Sequence, residues 1–207
     1  MLYKNIYKKS NKFEEIVMIK ILVFIQAVLR NKTSRFKGIL LKCYLLMHGC
    51  KVGKGLKCAK FPYFKGFPNK NIIIGNYVDL GRNNTFELSN NGKIILDDYV
   101  LFHQNILISC NNQIKIGKFS AVAENVSIRD GNHQFSKDQY YRLQDSVSEP
   151  IEIGEDAGIA AGCVVLMGSK ISKGAFIGSN SVITRKSEIQ EYGIYAGNPL
   201  KLIGTRK

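Results

Sequence analysis

Six aliphatic residues recur at a fixed spacing of six between residues 153 and 183: Ile153, Ile159, Val165, Ile171, Ile177 and Ile183. A period of six fits neither the 3.6-residue helical repeat nor the unbroken alternation of a long strand, so every repeat must contain a bend. Four positions after each of the first five comes a small residue, namely Ala157, Cys163, Ser169, Ala175 and Ser181. If each hexad is a short strand and a turn, three hexads close a triangular coil. The aliphatic side chains of successive coils then stack into one continuous core. Upstream, Ile74, Leu80 and Phe86, then Ile95, Leu101 and Leu107, then Ile116, Val122 and Ile128 make three triplets that begin 21 residues apart. That step predicts coils with one enlarged corner, tightening to a step of 18 after residue 153. The fold class is therefore all-β, a parallel β-helix of hexapeptide repeats behind a short α-helical N-terminal segment.

A chain of 207 residues with 45% hydrophobic content is suited to one core. Three parts follow: a basic, apolar helical segment at 1–50, the β-helix at 51–203 with an inserted loop at 131–150, and a tail at 204–207. The five cysteines are odd in number and at least seven apart, so no CxxC metal or redox spacing exists. They read as reduced thiols of a cytoplasmic protein, with Cys163 a small core residue.

A formal charge of +14 points to a polyanionic partner, and much of the excess precedes residue 70, including Lys4, Lys8, Lys9 and Lys12. No nucleic-acid motif accompanies it, so nucleic acid is not the expected partner. The apolar run Ile16 to Leu29 is interrupted by Lys20 and Gln26. It is shorter than the roughly 20 residues needed to span a bilayer. Arg30-Asn31-Lys32 stands where a signal peptide would need small residues, which disfavours export. Two readings stay open for this helix: packing against the protein or its oligomer, or lying peripherally on the inner membrane surface. A second apolar helix is expected from about Phe36 to Met47.

The hexads stop between Ile128 and Ile151, and the inserted segment begins Arg129-Asp130-Gly131-Asn132-His133. Insertions in a solenoid become loops on one face, and loops on rigid scaffolds carry function. His133 is one of only three histidines, which makes it the catalytic candidate. Imidazole, with a free pKa near ~6.5, can take a proton from an attacking nucleophile and return it to a leaving group at neutral pH.

Residues 52–203 resemble the hexapeptide-repeat acyltransferases, most nearly the sugar and surface-polysaccharide O-acetyltransferases of the galactoside and maltose acetyltransferase kind, down to the ending Tyr195-Ala196-Gly197-Asn198-Pro199-Leu200-Lys201-Leu202-Ile203. The resemblance implies a left-handed coil, a homotrimer with active sites between subunits, acetyl-CoA as donor, a sugar or glycan acceptor and no metal. It also implies roles for particular residues. Asp130 and His133 have the spacing of the family's Asp-x-x-His. Asp130 either orients His133 or bonds the turn backbone, and Asn132 is either an acceptor contact or a turn residue.

The segment Leu101 to Asn105 matches the family's acceptor strand, with His103 where galactoside acetyltransferases carry asparagine. Asn105 reads as an acceptor contact or as a corner residue. Gly158 to Gly162 matches the segment that offers backbone N–H groups to the thioester carbonyl. Alignment by hexads nominates the N–H of Ala161 for the oxyanion, while Gly158 departs from the family's tryptophan. Ser179, Thr184, Arg185 and Lys201 are the implied remaining CoA contacts, the basic ones suited to its phosphates.

The resulting expectation is an acetyl-CoA-dependent O-acetyltransferase acting on a sugar hydroxyl in surface-polysaccharide biosynthesis, by direct transfer with His133 as general base. The alternatives are N-acetylation of an amino sugar, a zinc enzyme like the γ-class carbonic anhydrases, for which His48 lies before the repeats and at most two of the three histidines are well placed, and a noncatalytic membrane-associated scaffold.

Overall fold

The computed structural model describes residues 2–207, with side chains from residue 17 onward; the side chains of Lys4, Lys8, Lys9 and Lys12 lie outside the described residues. The two apolar stretches of the N-terminus form one continuous helix, Leu2–Met47. It stops at Gly49, whose φ of +77° is costly for other residues. There the N–H groups of Gly49 and Cys50 donate to the carbonyls of Leu46 and Leu45, closing the last turn. Gly38, Leu41 and Leu45 seat this helix on the first coil, where any Cβ at position 38 would collide with the Leu56 carbonyl.

Beyond the helix the chain winds through three parallel sheets. The first face runs from Lys51–Val52 through Ile72–Ile74, Lys93–Leu96, Gln113–Ile116 and Ile151–Ile153 to Lys170–Ile171. The second runs from Lys57–Cys58 to Phe176–Ile177 and is extended by Gly193–Ala196 and by the antiparallel strand Lys201–Thr205. The third runs from Tyr63–Lys65 to Val182–Ile183. All six residues of the 153–183 series are buried to 2% exposure or less, as the period of six requires. The small residues of the same hexads are buried as well, and Ser169 and Ser181 each return their hydroxyl to a nearby carbonyl.

The constant step of 21 is not what forms. Ile74 pairs with Leu96 and Leu96 with Ile116, so successive steps are 22 and then 20. The inward residues of the middle coil are Leu96, Phe102 and Ile108, while Leu101 is 37% exposed and Phe102 only 1%. Ile94-Ile95-Leu96, Leu101-Phe102 and Leu107-Ile108 are contiguous apolar runs that suit either phase. Strand alternation decides between them, because the phase holding Ile95 inward would also turn Lys93 and Ser109 into the core. An unpaired buried lysine costs far more than the choice between neighbouring aliphatics gains. The residues read as a 204–207 tail are integrated: Gly204 and Thr205 belong to the last strand, and Arg206 bonds the carbonyls of Asp156 and Gly174.

Candidate active site

The third-face strand Ser127–Arg129 ends on Asp130, which turns inward and is completely buried. Its carboxylate accepts hydrogen bonds from the backbone N–H of Asn111 at 2.6 Å and of Asn112 at 2.9 Å, and from the Cys110 thiol at 3.3 Å. Asp130 therefore pegs the insertion to the corner of the preceding coil. Of its two sequence readings the turn-backbone role is the one observed, on the neighbouring coil rather than around Gly131. Burial, with Asp130 beside it, pushes the Cys110 thiol up to about 12, so it stays protonated as a donor.

After this peg, Gly131–His133 leaves the coil and pairs antiparallel with Ser146–Ser148, so the expected loop is a β-hairpin at its base. His133 Nδ1 lies 3.2 Å from the Gln144 carbonyl, and its ring meets Tyr141 edge-on at 5.4 Å. A carbonyl can only accept, so the hydrogen sits on Nδ1 and Nε2 carries the lone pair. That is the tautomer a general base requires. Gln144, 6% exposed, holds the loop through its side chain, donating to the carbonyls of Ser136 and Gln139 and accepting from the Ser136 N–H at 2.7 Å. Asn132 lies within the strand rather than in a turn, and its Oδ1 accepts from the His133 N–H at 2.9 Å and from the Tyr141 hydroxyl at 3.4 Å.

His133, Asn132 and Tyr141 face Met167, Thr184 and Arg185 across a cavity of about 520 Å³. Arg185 is engaged at its mouth by Glu149, 2.7 Å away. Thr184 also borders a second cavity of about 580 Å³, where Lys186 rather than Arg185 supplies the cation.

The other predicted residues gather elsewhere. His103, Asn105, Ala161 and Ser179 occupy the corner between the second and third faces, stacked coil over coil. Asn105 has a φ of +58°, accepts from Asn83 and donates to Asn125, so it is a rung of a corner asparagine ladder. His103 Nδ1 lies 3.6 Å from a Glu124 carboxylate oxygen, and both side chains are about half exposed. The N–H of Ala161 finds no acceptor among the described residues, and the same holds for Gln104, Glu124 and Ser179 at equivalent places of the corner. The Phe176 ring occupies the space where a Cβ at Gly158 would sit, so a neighbouring coil covers the place of the family's tryptophan. Lys201 is exposed on the final strand.

The predicted residues thus fall into two groups on two corners of one prism, His133 with Thr184 and Arg185 at one, Ala161 with His103 at the other. Sequence reasoning missed Gln144, Tyr141 and Phe176, which carry no motif and are recruited by tertiary contact. The three histidines needed for a zinc site are dispersed: His48 bonds the Tyr44 carbonyl and stacks on Phe67, far along the chain from the other two. Among the described residues no three His, Cys, Asp or Glu side chains cluster to hold a metal.

No protein-family profile matches the chain. It is 27% identical over 158 residues to a probable acetyltransferase of Mycobacterium tuberculosis, covering 75% of this chain and 50% of that protein. Against a putative lipopolysaccharide biosynthesis O-acetyl transferase of Escherichia coli it is 28% identical, covering 54% of this chain and 60% of the relative. The chain therefore spans about half to three fifths of these relatives. Among solved structures, an N-acyltransferase of Bacillus cereus in complex with an amino-sugar nucleotide and coenzyme A superposes with a TM-score of 0.65 at 18% identity, covering 76% of this chain and 83% of that one. A maltose O-acetyltransferase of Clostridium difficile superposes at 0.52 and 18% identity, covering 86% and 88%. The resemblance read from the repeats is thus borne out: the chain has the fold of the hexapeptide-repeat acyltransferases and is similar in sequence to proteins named acetyltransferases.

Proposed function

We propose that this chain is an acetyl-CoA-dependent O-acetyltransferase that acetylates a sugar hydroxyl of a surface polysaccharide, as a homotrimer whose sites form between subunits. The observation that carries the reading is His133, held by the Gln144 carbonyl in the tautomer with an open Nε2 at the edge of a cavity. In the reaction, Nε2 takes the hydroxyl proton as the sugar oxygen attacks the thioester carbonyl and a C–O bond forms. The oxyanion is met by the Ala161 N–H of a neighbouring copy. Collapse breaks the C–S bond, and the proton on Nε2 passes to the departing CoA thiolate. Thr184, Arg185, Lys186 and Lys201 supply polar and cationic contacts for CoA, and His103 contacts the acceptor across the subunit boundary.

Thiol release from acetyl-CoA across a panel of sugars tests this. His133→Ala should lower turnover by about 100-fold or more, the usual worth of a general base. Full turnover in the variant overturns the assignment. A second reading, N-acetylation of an amino sugar, is favoured by the likeness to the N-acyltransferase solved with an amino-sugar nucleotide. Faster release with an amino sugar than with its hydroxyl counterpart would select it.

A further inference from the structure

The net positive charge of the chain lies at one end. Between Ile16 and Val78 there are twelve Lys and Arg residues and no Asp or Glu, whereas residues 79–207, which hold both groups of predicted site residues, carry fourteen of each sign and are neutral. CoA phosphates at the site therefore do not account for the excess, which belongs to the helix and the first coil.

The same end exposes apolar surface: from Val17 to Leu29 apolar side chains are exposed all round the helix, Ile19, Val23 and Phe24 among them, and one line of them runs on along the rest of the helix. Met18, Leu22, Ile25, Leu29, Phe36 and Leu40 follow one another at helical spacing and are 45% to 62% exposed. Their line continues to Met47 on the side opposite Gly38, Leu41 and Leu45, the residues that hold the helix to the β-helix. At a rise of about 1.5 Å per residue this stripe is roughly 43 Å long. Phe61, Tyr63 and Phe67, at 44%, 64% and 83% exposure, project from the first coil, and Phe67 stacks on His48 just past the end of the helix. No helix among the described residues is long and apolar enough to cross a membrane.

A second copy of the chain is the poorer occupant for this surface. Like copies would bring twelve positive charges against twelve with no acidic residue in the same segment to pair with them. An anionic bilayer offers both what the stripe and what the charge require: an apolar layer to take the side chains and headgroups to neutralise the cations.

We propose that the N-terminal helix and the first coil form a docking surface for an anionic lipid bilayer, the helix lying in the interface with its Met18–Met47 stripe towards the acyl chains. The surface is independent of the transferase reading, and its test uses no activity. The full chain is floated with vesicles of phosphatidylcholine alone and with vesicles containing about one third phosphatidylglycerol. Flotation is expected with the anionic vesicles only, and should weaken in high salt. Leu22→Glu combined with Ile25→Glu, both on the exposed face, should leave the circular dichroism spectrum unchanged and lower the partition roughly 100-fold. Lys32→Glu with Arg35→Glu should lower it by about tenfold or more. Equal flotation with neutral vesicles overturns the proposal. So does undiminished flotation of the Leu22/Ile25 variant, including the case where that variant instead loses oligomeric mass in sedimentation, which marks the stripe as a contact between copies.

Discussion

Asp130 and His133 are three residues apart, yet they do different work. The carboxylate is completely buried and takes two backbone N–H groups and a thiol from the preceding coil, while the imidazole is held by the Gln144 carbonyl. Asp130→Asn keeps one acceptor oxygen and turns an NH2 towards a backbone donor. The loss of a charge-assisted bond and the stranded N–H cost roughly 2–3 kcal/mol. For a chain of this size that is about 5–10 °C in thermal midpoint. The pH dependence of turnover should stay where it is, since Asp130 makes no hydrogen bond to His133; a shifted profile in a correctly folded variant would restore the orienting role. His133 was legible in the sequence because it lies where the hexads fail. Its real support was not, because Gln144 is brought to it by a loop eleven residues long whose closure depends on side-chain bonds that no spacing announces.

At the scale of elements, the hexads predict burial for eleven residues from 153 to 183, the six aliphatic and the five small ones, and all eleven are buried. Legibility failed where apolar residues adjoin, as in Ile94-Ile95-Leu96, because a period of six read on aliphatic character alone has two solutions there. Including the polar neighbours Lys93 and Ser109 removes one of them. The inserted segment is a hairpin rather than an open loop, and it is fastened at three levels: Asp130 at its root, strand pairing above, and the Gln144 side chain within the loop. Gln144→Ala deletes three loop hydrogen bonds but leaves the backbone carbonyl that His133 uses. The β-helix, whose core the residue does not enter, should keep its spectrum. Turnover should fall by about tenfold or more through a looser imidazole, with the KM for acetyl-CoA little changed. A KM effect of the same size, with kcat intact, would assign the loop to binding the donor.

For the whole molecule, the proposed base and the proposed oxyanion donor are set apart on different corners of the β-helix. His133 stands on the corner between the third and first faces and Ala161 on the corner between the second and third, so within one chain the body of the third sheet divides them. Closed rotational symmetry brings unlike corners of neighbouring copies together. Ala161 can be tested without harming its turn: Gly162, with a φ of +72°, fits the third position of a turn whose second position favours proline. Ala161→Pro thus removes the N–H and keeps the corner. In the proposed homotrimer, Ala161→Pro and His133→Ala should each leave almost no activity. When the two are unfolded together and reassembled in equal amounts, one site in four pairs an intact His133 with an intact Ala161 from the neighbour. Activity should then return to about a quarter of the parent's. A site formed within a single chain gives no recovery at any mixing ratio, so a mixture as inactive as its components would reject the shared site even if both residues prove essential.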